Sequence, residues 1–125
     1  MKEFEYLSYE LKDDIHIVTY KQIRTKTVDE FIEVFRYICE TYKPDDVIKL
    51  AVDSQLGTLS VRYMMREINK AVKEYPVRPE FDIAIIVEDS LVYRMLNLTL
   101  RALIHDDNLK QFTDLDTELQ WLKEQ

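Results

Sequence analysis

The chain predicts an α/β fold of order ββαβαβαβα, in which a mixed sheet opens with an antiparallel hairpin and continues through helical crossovers. Three observations predict it. Short β-branched and aromatic runs alternate with longer segments whose apolar residues recur at helical spacing. Residues 81–87 form a nearly continuous apolar run, as expected of a strand buried on both faces between helices. One Gly and three Pro in 125 residues imply short connections between regular elements. With 46% hydrophobic residues the chain is long enough for one good core and short for two, so residues 1–125 are expected to form a single domain.

Residues 4–11 and 15–20 alternate roughly between apolar and polar and are separated by Lys12, Asp13 and Asp14, which reads as a hairpin. Thr27 followed by Glu30 has the spacing of a capping box, in which hydroxyl and carboxylate satisfy the first free amides of a helix. The apolar positions Val28, Phe31, Ile32, Phe35, Ile38, Cys39 and Tyr42 then make one stripe, with Pro44 just past its end. The run 47–52 is the third strand. A second helix, opened by Ser60, turns Val61, Met64, Met65, Ile68, Ala71, Val72 and Tyr75 inward and stops at Pro76 and Pro79. The run 81–87 is the central strand. A third helix is expected from an Asp89 or Ser90 cap through Ile104, then a short strand over 109–112. A last helix, capped by Thr113 or Asp114, carries Leu115, Leu119, Trp121 and Leu122. Strands joined by helical crossovers within one sheet should be parallel, with helices on one or both faces.

The net charge of -7 opposes general binding to phosphate backbones or anionic membranes, so no nucleic-acid partner is expected. A single cysteine cannot form an internal disulfide. No run approaches 18 apolar residues, and the start lacks the pattern of a secretion signal. The expectation is a soluble, cytoplasmic protein with no membrane span.

No catalytic motif occurs. Cys39 lies on the core stripe of the first helix, and His16 and His105 are 89 positions apart with no spaced ligand partners, so neither a metal nor a cofactor is expected. The place to look is the loop after the third strand, because ligands and partners meet α/β domains beyond the carboxyl ends of strands. There Asp53, Ser54, Gly57, Thr58 and Ser60 form the candidate interaction or regulatory loop. Asp53 has two readings, a general base or ligand and a turn cap, and Glu88 and Asp89 end the fourth strand in a similar way. On the second helix Arg62, Arg66, Lys70 and Lys73 could form a basic stripe, but Glu67 and Glu74 are interleaved and can neutralise it. The third helix is apolar nearly all round. Beyond its core stripe it adds Leu91, Tyr93, Leu98, Leu100 and Ile104. That surplus fits a self-association surface, one wall of an apolar pocket, or cover by the last helix.

The strand, Asp53-Ser54 loop, glycine and helix, placed after a hairpin and a first helix, resemble the STAS fold typified by anti-anti-sigma factors. The ending from Phe112 through Asp116 to Trp121-Leu122, with residues 87–93 upstream, is similar to the SpoIIAA-like group of small bacterial STAS-related proteins. The resemblance implies a partner-switching loop in which a hydroxyl residue directly before the glycine accepts a phosphate. Here Gln55 and Leu56 occupy the two positions before Gly57, and neither can accept one. A switch of that kind would need Ser54, Thr58 or Ser60 instead.

The resulting expectation is a non-enzymatic, cytoplasmic regulatory or protein-interaction module of STAS-like type, with a protein partner or self-association. The alternative, also implied by resemblance in shape to CRAL-TRIO-type lipid carriers, is a small carrier with an apolar ligand beneath the third helix.

Overall fold

The computed structural model describes residues 3–53, 61–86, 108–112 and 115–125. Within them run β1 (Leu7–Lys12), β2 (Ile15–Tyr20), α1 (Thr25–Thr41), β3 (Val47–Asp53), α2 (Val61–Glu74), β4 (Glu80–Ile86), β5 (Asn108–Phe112) and a C-terminal helix, α3 (Leu115–Lys123). The strands form one mixed sheet of order β1-β2-β3-β4-β5. The β1–β2 pair is antiparallel and the remaining three pairs are parallel. The α/β reading, the opening hairpin and the parallel crossovers therefore hold. The helix expected from residue 89 or 90 to Ile104 lies outside the described residues.

The hairpin turns in two residues, since Lys12 pairs with Ile15. Asp13 and Asp14 both adopt left-handed backbone, with φ of 53° and 63°. That is the geometry whose twist matches paired strands, and Asp is among the few non-glycine residues that tolerate it.

The first helix starts differently from its sequence reading. Thr27 is not the cap. Arg24 is, in extended backbone, and Thr27 sits three residues on, where its hydroxyl accepts the Arg24 N–H at 3.2 Å and donates to the Gln22 carbonyl at 2.7 Å. The capping box thus lies three residues earlier than Thr27 and Glu30 suggest, between Arg24 and Thr27, which frees Glu30 for a longer reach. Its carboxylate accepts the backbone N–H groups of Glu5 (3.1 Å), Tyr6 (2.8 Å) and Leu7 (3.2 Å), tying the start of β1 to α1. Hydrogen bonds to a charged acceptor are worth about 1.5–3 kcal/mol. Glu30→Ala should therefore cost about 2 kcal/mol and speed hydrogen exchange at those three amides. Unchanged protection there would refute the clamp.

Two apolar layers sandwich the sheet. On one face α1 and α2 cover Val18, Tyr20, Ile48, Leu50, Val52 and Phe81, with Val28, Ile32, Ile38, Met64 and Ala71 contributed by the helices. On the other face Leu122 of α3, flanked by Leu119 and Trp121, packs on Ile15, Ile17, Ala51, Ala84 and Ile86. The stripe read from the sequence of α1 is widened by Thr27 and Val34, both buried, on the side of the helix that meets β1. Cys39 is half-buried against the first layer, as its place on the stripe implies.

Polar side chains staple α1 to α2 along their length. The Tyr63 hydroxyl donates to Asp29, the Tyr75 hydroxyl donates to Glu40, and Arg36 grips Glu74 in two-pronged fashion at 2.8 and 3.2 Å. The carboxylate of Glu67 takes Arg66 and Lys70 at 3.5 and 3.4 Å. Glu67 therefore neutralises the middle of the basic stripe, Arg66 and Lys70, whereas Glu74 pairs across to Arg36 of α1. Among the described residues no helix is long and apolar enough to cross a membrane.

Candidate functional site

Asp53 is the last residue of β3, in register with Thr19 of β2 and Ile86 of β4. Alternation along the strand places its side chain on the face of Ala51, the face covered by α3. That helix brings Glu118 to the same region. Glu118 is fully buried, and neither of its carboxyl oxygens has a hydrogen-bond partner among the described residues. Burial first, and the negative charge of Asp53 second, push its carboxyl up to about 9. Glu118 therefore keeps its proton at neutral pH, an uncharged acid set within electrostatic reach of a carboxylate.

The sequence pointed to Asp53 and missed Glu118. A signal existed, because Glu118 stands three residues after Leu115 and four before Leu122, on the apolar stripe of its helix rather than on the wet side. Ser54, Gly57, Thr58 and Ser60 of the candidate loop lie outside the described residues. So do Leu91, Tyr93, Leu98, Leu100 and Ile104 of the expected apolar surface, together with His105, Glu88 and Asp89.

The strand order qualifies the reason for looking at this end. A crevice forms at a switch point, where successive crossovers leave a strand in opposite directions. Here every strand pairs with its neighbours in sequence, so topology alone opens no crevice at β3. What distinguishes that end is its chemistry, the pairing of Asp53 with Glu118.

The opposite end of the sheet holds a pocket of about 410 Å³ lined by Leu11, Asp14, His16, Tyr42, Asp46, Val47, Ile48 and Lys49. Its floor is aromatic. His16, buried in β2, has its Nδ1 hydrogen-bonded to the Tyr9 hydroxyl at 2.5 Å. The imidazole stacks on the Tyr9 ring at 5.8 Å and meets Tyr42 edge-on at 5.2 Å. Burial lowers the His16 pKa below its ordinary value, against a smaller opposing pull from Asp14. Tyr9 is pushed up to about 12, mainly by burial and further by Tyr42 and Tyr37. Burial thus favours the neutral form of both groups. The sequence reading of His16 as structural captured its burial and not its place on a pocket wall.

Among the described residues no group of three or more His, Cys, Asp or Glu side chains is placed to hold a metal ion. No family model, no curated protein and no solved structure matches this chain.

A depressed histidine has a defined signature. Because the folded state favours neutral His16, acid draws protons preferentially to the unfolded chain. Stability from this group is lost as pH falls from the ordinary histidine value through the folded one. An NMR titration should give His16 a midpoint below 6.5, and a midpoint at or above that value would contradict the buried, neutral ring.

Proposed function

We propose that the chain is a non-enzymatic regulatory or protein-interaction module of STAS-like type, acting in the cytoplasm, which meets its partner beyond the carboxyl end of β3 at Asp53. The observation that carries this reading is Glu118, a buried carboxyl that has no hydrogen-bond partner among the described residues and feels the charge of a second carboxyl, Asp53. Such an arrangement opposes folding, and strongly perturbed acids concentrate at functional places. The β3–α2 unit, with Asp53 where a STAS-like loop would begin, supports the same reading. A partner presenting Lys or Arg would complement both Asp53 and the overall charge of -7.

Native mass spectrometry of the chain purified from its own cells tests this. The expected result is a complex, with a second protein or a second copy, that is weakened in Asp53→Asn while the variant stays folded. A complex equally abundant in the variant would remove Asp53 from the interface. A co-purified apolar ligand with no protein partner would replace the module with the small carrier.

A further inference from the structure

β1 is one edge of the sheet, and part of its outer side is open. The Lys21 N–H donates to the Tyr6 carbonyl at 2.9 Å, and Lys12 pairs with Ile15 across the two-residue turn, so the even-numbered residues of this strand direct their backbone groups toward β2. Those of Leu7, Tyr9 and Leu11 point outward. Glu30 holds the Leu7 N–H, whereas the outward groups of Tyr9 and Leu11 have no partner among the described residues. Leu11 is also 53% exposed, and its neighbours Glu10 and Lys12 lie open on the opposite face, the one that carries Ile17 and Ile15. Edge strands ordinarily use charge to repel other strands. This edge instead sets one negative and one positive residue on either side of an open leucine.

We infer that β1 pairs edge to edge with β1 of a second copy, antiparallel and centred on Leu11, which joins the two five-stranded sheets into one. Outward backbone groups must meet outward backbone groups, so a two-fold axis has few places to fall. Registers centred at or before Tyr9 bring Leu7 into the ladder, where its N–H is already held by Glu30. A centre at Glu10 or at Lys12 sets like charges directly opposite each other, which is destabilising. At Leu11 the two leucines exchange both backbone hydrogen bonds and cover each other. Glu10 of each copy then faces Lys12 of the other in the closer, non-hydrogen-bonded pairing, where opposite charges attract. The same edge serves both copies, so the assembly closes at two. This surface lies two strands away from Asp53, and the inference goes beyond the partner proposed there.

Sedimentation velocity of the full chain, with hydrogen exchange at rising protein concentration, tests this. So short a seam belongs with weak, transient interfaces, and the dimer should form with a dissociation constant on the order of 0.1 mM. The Leu11 amide should gain protection as the dimer fills. Glu10→Lys and Lys12→Glu, each alone, set like charges opposite and should weaken the dimer about tenfold, and the two exchanges together should restore it. Asp53→Asn should leave the dimer unchanged, which separates this result from the fate of the β3 reading. A chain that stays monomeric at about ten times the expected constant would overturn the proposal. So would a dimer whose Leu11 amide is unprotected, or one indifferent to both single reversals. A dimer lost in Asp53→Asn would belong to the β3 surface and overturn it as well.

Discussion

Glu118→Gln should raise the unfolding free energy by about 3 kcal/mol at pH 7 and by about 6 kcal/mol at pH 9 and above, with almost no effect at pH 4. The reasoning is one of proton linkage. In the unfolded chain Glu118 loses its proton near the ordinary carboxyl value of 4.5, whereas in the fold it holds the proton up to about 9. Between those values the folded state binds more protons than the unfolded one, so stability falls as pH rises, by about 1.4 kcal/mol per pH unit. Glutamine has the same shape and no charge to lose, so the slope contributed by this site vanishes. Urea titrations of both proteins across pH 4 to 9 would show the difference. Parallel stability profiles would mean that Glu118 is not the buried, uncharged acid described above. A variant that is more stable yet loses its partner would show that this acid is retained for function at the expense of stability.

Phe81→Ala should cost about 3–5 kcal/mol, the usual range for emptying a well-packed aromatic site. Phe81 is 2% exposed and joins three elements. It lies on β4, stacks against Phe35 of α1 at 5.6 Å, and Phe35 in turn meets Tyr75, just past α2, edge-on at 6.2 Å. Arg78 closes the outside, with its guanidinium 5.7 Å from the Phe81 ring. Removing the ring leaves a void whose walls are two helices and a strand, which cannot collapse together. Chemical denaturation should show the loss, and a double-mutant cycle with Phe35→Leu should return a coupling of about 0.5–1.5 kcal/mol. A cost below about 1 kcal/mol would imply that the site relaxes, contrary to the close packing observed.

The strands and helices were legible wherever one period dominated. The run 47–52 and the stripe Val28 to Tyr42 carried their own evidence, because burial on a sheet or a helix face leaves a repeating apolar mark. Thr27 and Glu30 were misread because the capping pattern is short and the cap falls three residues earlier, at Arg24. Only the position of residues 5–7 decides that Glu30 serves another strand. Asp53 was legible because strand ends follow from strand runs. The proximity of Glu118 was not, since it depends on which sheet face the last helix chooses, a long-range packing outcome with no local signature. The pocket around His16 was hidden for a similar reason: its lining comes from the hairpin turn, the end of α1 and the start of β3, segments up to 38 positions apart that only parallel pairing brings together.

The uninterrupted strand order β1-β2-β3-β4-β5 bears on how the chain is made. Every strand finds its first partner in the strand synthesised immediately before it, so the sheet can grow at one edge as the chain leaves the ribosome, without waiting for a later strand to be inserted. Helices α1 and α2 are each complete before the next strand arrives, and α1 can already cover the hairpin while β3 is still being added. The C-terminal helix comes last. Its arrival buries Glu118 and seals the second face, so the most costly side chain in the described structure enters the core only after the sheet is built.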